Sequence, residues 1–458
     1  MRRQPAVLAF LAASVLLAGC AKDDPCSNEN LKSGLMGSVQ SWYLFPELLP
    51  AVNPGDYGTP AALLDALTAP ALAQNKDRHW SYITTLAAQQ SYYYSGTSVG
   101  FGVSILRRGS QLFVSQVQAG SPAAGAGFLR GDEIVAIGEA VPLTPISTIV
   151  ANNPADPDGA IAQAFGPATV GLTRLFEVIP RGASAPAISR TMAKTVYALE
   201  PVPPVAVFDP TGTGTPKVGY VALRSFISTA DAALDAAFGQ LKAANVTDVI
   251  VDLRYNGGGL LPTADLLTDL LGGGLDTRTS FRLTFNAARS LNDETHTFLS
   301  RTSSLSPAHV AFLVTGQSAS ASELVPNALE PWKQVALVGH QTYGKPVGQL
   351  SIVNQQCALV LNLVSFRMVN AQGDGDYFGG LPAAGFSGCG VAADDDLTRE
   401  TWDPLETQTA AALSWITGTP CPAPPVGPLS VTAPVRPPDT YPVPAEPTEA
   451  QRHAPGLF

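Results

Sequence analysis

Three hydroxyl residues alternate with alanine in Ser318-Ala-Ser-Ala-Ser-Glu323, and a lysine and a glutamine come later at Lys345 and Gln349. Together these side chains have the chemistry of acyl transfer. A hydroxyl attacks a carbonyl, an uncharged amine accepts its proton, and a neutral amide orients the amine without adding charge. The hydroxyls lie between an apolar run, 309–315, and a helix-like segment, 323–330, which is the order strand, turn, helix start. A hydroxyl on such a turn is exposed, and the first free N–H groups of the helix face whatever it attacks. An isolated Ser-x-Ser-Glu would be a helix cap and nothing more. Lys345, 25 residues after Ser320, and Gln349, four further on beyond a second apolar run at 335–339, shift the reading to catalysis. A lysine works as a base only when neutral, a state that an apolar setting favours, and Lys345 has Tyr343, Gly344, Pro346 and Val347 as its sequence neighbours.

Such a pair needs rigid elements to hold it. Between about 191 and 418, strand-like runs (218–223, 249–253, 358–364) alternate with segments of helical periodicity (229–244, 260–271), the pattern of a layered α/β core. The run 249–253 leads into Asp252-Leu-Arg-Tyr-Asn-Gly-Gly-Gly259. Glycine alone lets bare backbone come close to a substrate carbonyl, so this loop is a candidate source of oxyanion donors.

Residues 317–324 with Val338-Gly-His-Gln-Thr-Tyr-Gly-Lys345 and Gln349 resemble the active-site segment of the C-terminal processing peptidases, the Ser-Lys family that also contains the tail-specific and tricorn-type proteases. The resemblance implies Ser320 as nucleophile, Lys345 as base, Gln349 as its orienting partner, and Ser318 and Ser322 as framework. Residues 252–259 are similar to the family's Asp-Leu-Arg-x-Asn-Pro-Gly-Gly element, which implies an oxyanion hole formed by the N–H groups of Gly258 and Ala321. Cys389-Gly-Val-Ala-Ala-Asp-Asp-Asp396 is similar to its Gly-Ile-x-Pro-Asp ending. The resemblance further implies a ClpP- or crotonase-like protease core over 191–418 that hydrolyses peptide bonds through an acyl-enzyme, without a cofactor. Five histidines and no His-Glu-x-x-His give little basis for a metal site. Three departures from the pattern stand out: Pro346 where glycine is usual, Gly257 where proline is usual, and Pro326, expected to interrupt the helix after the nucleophile. Two other functions fit parts of the chain. A lipoprotein with a decayed site would bind C-termini without cleaving, against which Ser320, Lys345 and Gln349 are all retained. A Ser-His hydrolase would use His309 or His340, but the Gly-x-Ser-x-Gly elbow is missing.

Upstream, Val99-Gly-Phe-Gly-Val103, the strand-like run 112–117, and Gly120-Ser-Pro-Ala-Ala-Gly125 with Gly131-Asp-Glu-Ile134 after it resemble a PDZ-like β domain over 96–190. In that reading Gly100, Phe101 and Gly102 cradle a peptide's terminal carboxylate on backbone N–H groups, the strand after them takes the peptide by strand addition, and polypeptides with accessible C-termini are the partners. A closing strand is expected at 172–179, with a loose Pro/Asp-rich insertion around 150–160. Residues 26–95 read as a helical region, with apolar spacing at Leu31, Leu35, Val39 and Trp42 and a second helix after Pro60. Residues 77–83 resemble the Asp-x-x-Ser-Tyr segment that precedes the PDZ module in the family, and His79 and Ser81 are read as structural.

The composition, 45% apolar and 14% charged over 458 residues, fills the cores of several domains, so the expected fold class is α/β multidomain. A net charge of −10 without a long Lys/Arg cluster argues against nucleic acid as a partner. Residues 1–20 read as a signal peptide, and Leu17-Ala-Gly-Cys20 resembles a lipobox, which makes Cys20 the lipidated residue. Ala21 rather than aspartate after it resembles an outer-membrane address, so the expected location is the bacterial cell envelope, lipid-anchored and facing the periplasm. The remaining cysteines, Cys26, Cys357, Cys389 and Cys421, allow up to two disulfides in three pairings, and the sequence does not choose among them. It does not give the oligomeric state either. With 12 prolines among the 39 residues from Pro420 on, 419–458 reads as a disordered tail.

Overall fold

The structure is a computed structural model that describes residues 24–184, 186–383, 385–421 and 439–458. The expected signal peptide and Cys20 lie outside the described residues. The fold is α/β multidomain, as expected, with a helical N-terminal region, a β domain and an α/β core. It divides into two compact units. One holds 24–90, 279–296 and 345–378, and the other 91–278, 297–344 and 379–458.

In the first unit, helices Asn28–Trp42 and Pro60–Ala73 are capped by Ser27 and Thr59, each accepting a backbone N–H from within the first turn of its helix. They do not stand apart as a domain over 26–95. Tyr82–Thr85 pairs with Leu359–Asn370, which also pairs with Thr279–Phe285 and Val347–Asn354 in an antiparallel sheet. Cys26 is joined to Cys357 in this unit and Cys389 to Cys421 in the other, one of the three pairings the sequence leaves open.

The second unit contains both the core and the β domain. The core sheet runs Ala206–Phe208, Val218–Ala222, Asp248–Asp252, His309–Val314, Gln334–Gly339, Cys389–Ala392, parallel after the first pair. Helices such as Thr229–Ala243 and Leu261–Leu271 flank these strands in sequence, and all five residues of Asp248–Asp252 are buried, which is why these strands are runs of β-branched and apolar residues rather than alternating ones. In such sheets reactive groups collect past the carboxyl ends of the strands. Two neighbours in register, Asp248–Asp252 and His309–Val314, end at the loops 253–259 and 315–320.

The β domain is a sheet in the order Val103–Arg108, Gln111–Val117, Glu133–Gly138, Thr173–Ile179, Ile188–Ala193, so the strand expected to close it has one more strand outside it. The expected loose insertion folds instead as helices Ile146–Asn152 and Pro157–Phe165. Its breaker residues are start signals: Asp156 accepts from Gly159 N at 2.9 Å, and Pro157 occupies the first turn, where its missing N–H costs nothing. Ile161 and Phe165 from this helix enter the domain's core beside Phe101 and Phe176.

The expected disorder of 419–458 does not describe its last 20 residues. Residues 439–458 lie on the second unit, with a short helix at Glu449–His453 and with Leu457 and Phe458 buried. Proline-rich composition signals disorder because such segments seldom bury enough apolar surface, and here Ala450, Leu457 and Phe458 do bury it.

Candidate active site

The three alternating serines take different places. Ser318 Oγ donates to Leu253 O at 2.7 Å and accepts from Thr315 N at 3.0 Å, and Ser322 Oγ donates to Asn256 O at 2.8 Å. Both are fully buried and rivet the glycine loop to the start of helix Ala321–Leu329, which is the framework role expected of them. Ser320, half-buried between them, has φ +56° and ψ −114°. A non-glycine residue on the positive-φ side is costly and needs surroundings that over-determine it. Those surroundings are Ser318, Ser322 and Glu323. Glu323 is buried, takes the Ser320 N–H on Oε2 at 2.9 Å, and takes the Gly344 N–H on Oε1 at 2.7 Å together with the Thr342 hydroxyl. The helix runs through Pro326 without a break, with Glu330 N bonded to Pro326 O at 3.0 Å, so the expected interruption is absent.

Gly258 lies against this turn. A Cβ on it would stand 2.9 Å from both Ala321 N and Ser320 Cβ, and its φ is +99°, so no other residue fits. The two candidate oxyanion donors, Gly258 and Ala321, are thus brought together beside Ser320. The Gly258 N–H, however, points at Asn256 Oδ1, 2.9 Å away, while Asn256 Nδ2 donates to Leu223 O at 2.7 Å. Gly257 N donates to His453 O at 2.7 Å. Below the loop, Arg254 is fully buried among Asp252, Asp395 and Glu406, at 2.6, 3.3 and 3.0 Å. Arg130, of the β domain, bonds Asp395 and donates to Tyr255 Oη at 2.9 Å. Burial alone would push the Asp395 carboxyl up, but the Arg130 and Arg254 guanidiniums outweigh it and hold the group at about 2.

Lys345 and Gln349 belong to the first unit. Lys345 is buried, and its Nζ donates to Gln349 Oε1 at 2.6 Å, the partnership the resemblance implies. Gln349 Nε2 in turn donates to Trp80 O, and Lys345 Nζ lies 5.8 Å from the Trp80 ring centre. Asp77 fixes Trp80 by accepting its N–H at 2.9 Å, along with the Ser81 hydroxyl at 2.7 Å and the Tyr43 hydroxyl at 3.1 Å. Ser81 is structural here, as read from the sequence, and His79 is exposed near Asp65.

Residues 217–379 match the model of peptidase family S41. The chain has a peptidase family S41 domain. Among curated relatives it is similar to the carboxyl-terminal-processing protease of Synechocystis, 30% identical over 249 residues, which are 54% of this chain and 53% of the relative. It is also similar to the chloroplastic carboxyl-terminal-processing peptidase 2 of Arabidopsis thaliana, 29% identical over 55% of this chain and 45% of that one. The chain spans about half the length of these relatives. A solved S41 protease structure from Bacteroides fragilis shares the fold, with a TM-score of 0.66 at 22% identity over 88% of this chain and 99% of that one. The S41 match takes in Asp252, Gly258, Ser320, Ala321, Lys345 and Gln349.

In the β domain, Phe101 is a core side chain, while Gly100 and Gly102 bracket a backbone cradle. The N–H groups of Gly102 and Val103 converge on the main-chain oxygen of Phe458, at 2.7 and 3.2 Å. A Cβ on Gly100 would meet Phe458 C at 2.7 Å. Sequence reasoning misses Asn256 and the buried acceptor role of Glu323. A glutamate three places after a turn serine is the only signal of the latter, and helix capping explains it fully.

Proposed function

We propose that this chain is an exported, lipid-anchored serine endopeptidase that hydrolyses polypeptides with a Ser320–Lys345 dyad. One observation carries the reading: within the S41 match, Ser320 sits on a positive-φ turn between a parallel strand and a helix start, with the Gly258 backbone packed against it. In the proposed cycle, neutral Lys345 takes the Ser320 proton as Oγ bonds to the scissile carbonyl carbon. The N–H groups of Ala321 and Gly258 receive the oxyanion, and Gly258 can do so only by giving up or sharing its Asn256 Oδ1 acceptor. Collapse breaks the C–N bond, the Lys345 ammonium protonates the leaving amine, and water then hydrolyses the Ser320 ester with Lys345 again as base. Gln349, held by Trp80, fixes the direction of the amine. The cradle at Gly100, Phe101 and Gly102, with the N–H groups of Gly102 and Val103 as its donors, recruits polypeptide C-termini, and lipid on Cys20 holds the enzyme to the envelope membrane.

The test is degradation of an unfolded polypeptide with an apolar C-terminus by the wild-type chain and by Ser320→Ala, both shown folded by circular dichroism. Wild type cleaves and the variant does not, and equal cleavage by both overturns the assignment. For the anchor, a fatty-acid analogue labels the wild-type protein and not Cys20→Ser, and equal labelling removes it.

A further inference from the structure

The groove beside strand Val103–Arg108 is filled by the chain's own residues 439–458. At one end, Gly102 N and Val103 N donate to Phe458 O, Phe458 N donates to Val103 O at 2.9 Å, and Ile105 N donates to Gly456 O at 2.9 Å. This is strand addition to a free edge. The Phe458 ring is buried 4.6 Å from that of Phe165, on the helix Pro157–Phe165. At the other end Thr440 pairs with Arg107, its hydroxyl donates to Asp158, and Asp439 bonds Arg108 at 2.8 Å. Between these two anchors the segment makes an excursion whose helix, Glu449–His453, reaches the glycine loop. There the His453 carbonyl takes the Gly257 N–H at 2.7 Å, and the His453 ring stacks on Tyr92 and bonds the Tyr93 hydroxyl. A Cβ on Gly257 would meet His453 O at 2.6 Å, and one on Gly456 would meet Ile105 O at 2.2 Å. The contact is built on close backbone approach at both places.

We propose that residues 439–458 are an intramolecular competitor for this groove: an incoming polypeptide end with an aromatic final residue displaces them, and the displacement frees Gly257 N–H, one residue from Gly258. The resident segment reports what the groove selects. Two N–H groups converging on one oxygen favour a carboxylate over a carbonyl, because the charge strengthens both bonds. The Phe101–Phe165–Phe176 pocket selects an apolar ring, and the Gly456 position requires a residue that tolerates φ +86°. A polypeptide ending in a small residue, an aliphatic one and phenylalanine meets all three conditions. Because one segment covers both the recognition groove and the loop beside Ser320, capture at the first is coupled to opening at the second. Only this coupling rests on the peptidase reading. The exchange itself does not.

Hydrogen exchange on the full chain carrying Ser320→Ala tests the exchange without turnover. The probe is a free peptide with the sequence of residues 447–458 and a terminal carboxylate. At saturation, exchange of the chain's own 449–458 amides rises at least tenfold, while the phenylalanine-to-alanine peptide leaves it unchanged. Unchanged exchange at saturating peptide overturns the proposal. Gly456→Val in the full chain, folded by circular dichroism, binds the same peptide, labelled with a fluorophore at its amino end, at least tenfold more tightly than the chain with Gly456, and equal affinities also overturn it. With Ser320 restored, Gly456→Val cleaves unfolded substrate several-fold faster. A gain in peptide affinity with no cleavage by either protein keeps the competitor and removes the peptidase reading.

Discussion

The carboxylate of Glu323 holds the backbone of Ser320: Oε2 accepts the Ser320 N–H at 2.9 Å while Oε1 accepts the Gly344 N–H at 2.7 Å. One buried side chain therefore fixes the turn that carries the hydroxyl and the residue that immediately precedes Lys345 in the chain.

Glu323→Gln keeps the shape but loses the charge and one acceptor. It is expected to lower kcat about tenfold or more with KM within about twofold, because the group shapes the reacting geometry and not substrate binding. The rate at which a serine-reactive phosphonate labels Ser320 falls in parallel. A rise in KM with kcat and labelling unchanged would assign the effect of Glu323 to substrate binding instead.

Lys345→Arg retains a cation but not a base, since a guanidinium stays charged at any usable pH, so cleavage falls by at least ~10²-fold. His309→Ala and His340→Ala retain substantial activity. His309 begins its strand whereas Ser320 lies beyond the strand's far end, and it bonds Asp248 Oδ1 at 2.7 Å against the Trp415 ring. His340 forms a half-exposed pair with Asp394. A folded, fully active Lys345→Arg enzyme would remove the Ser-Lys assignment.

The framing of Ser320 by Ser318 and Ser322, and the bond from Lys345 to Gln349, are what the motif's family resemblance implies; alternation of serine with alanine does not by itself tell the three hydroxyls apart. The layered α/β core is visible in the sequence itself, because strand-like apolar runs alternate there with segments of helical periodicity. Long-range pairing is not visible. Nothing local in Tyr82–Thr85 shows that it will pair with residues 359–362, and so the N-terminal region reads as a body of its own. Helix Pro157–Phe165 is hidden because proline and aspartate start helices as well as break them. Composition misjudges 439–458 because a few buried side chains, Ala450, Leu457 and Phe458 among them, do not change the average of a proline-rich stretch.

The disulfides give a prediction on stability. Cys26–Cys357 joins residues 331 apart and Cys389–Cys421 residues 32 apart. Constraint of the unfolded chain grows with the loop closed, so the paired replacement of Cys26 and Cys357 by serine is expected to cost more than that of Cys389 and Cys421, each in the range of about 2–5 kcal/mol. Thermal melts of the two double variants check the order. Free-thiol titration of the denatured, unreduced wild-type protein should find none of these four cysteines reactive, and a reversed order of melting would point to strain or local packing instead of chain entropy.

Asp395 provides the prediction on pH. Its carboxylate is buried against Arg130 from the β domain and Arg254 from the core strand's end, and it also receives the Tyr255 hydroxyl. The folded value of about 2 lies below the ordinary aspartate value of 3.8. A carboxyl whose folded value is depressed contributes stability that is present above the unfolded value and lost as pH falls through the folded one. The window is therefore about pH 4 down to pH 2, and the contribution above it is about 2 kcal/mol. Asp395→Asn removes the charge and leaves the Arg130 guanidinium buried without its carboxylate, so at pH 7 the loss is larger, about 3–5 kcal/mol. Urea unfolding of wild type and Asp395→Asn, measured from pH 6 to pH 2, separates this group from the other titrating carboxylates, because only the difference between the two proteins is read. That difference is expected to hold steady down to about pH 4 and to narrow below it as the wild-type Asp395 takes up its proton. A gap that stays constant to pH 2 would mean that Asp395 is not held ionised by the two arginines.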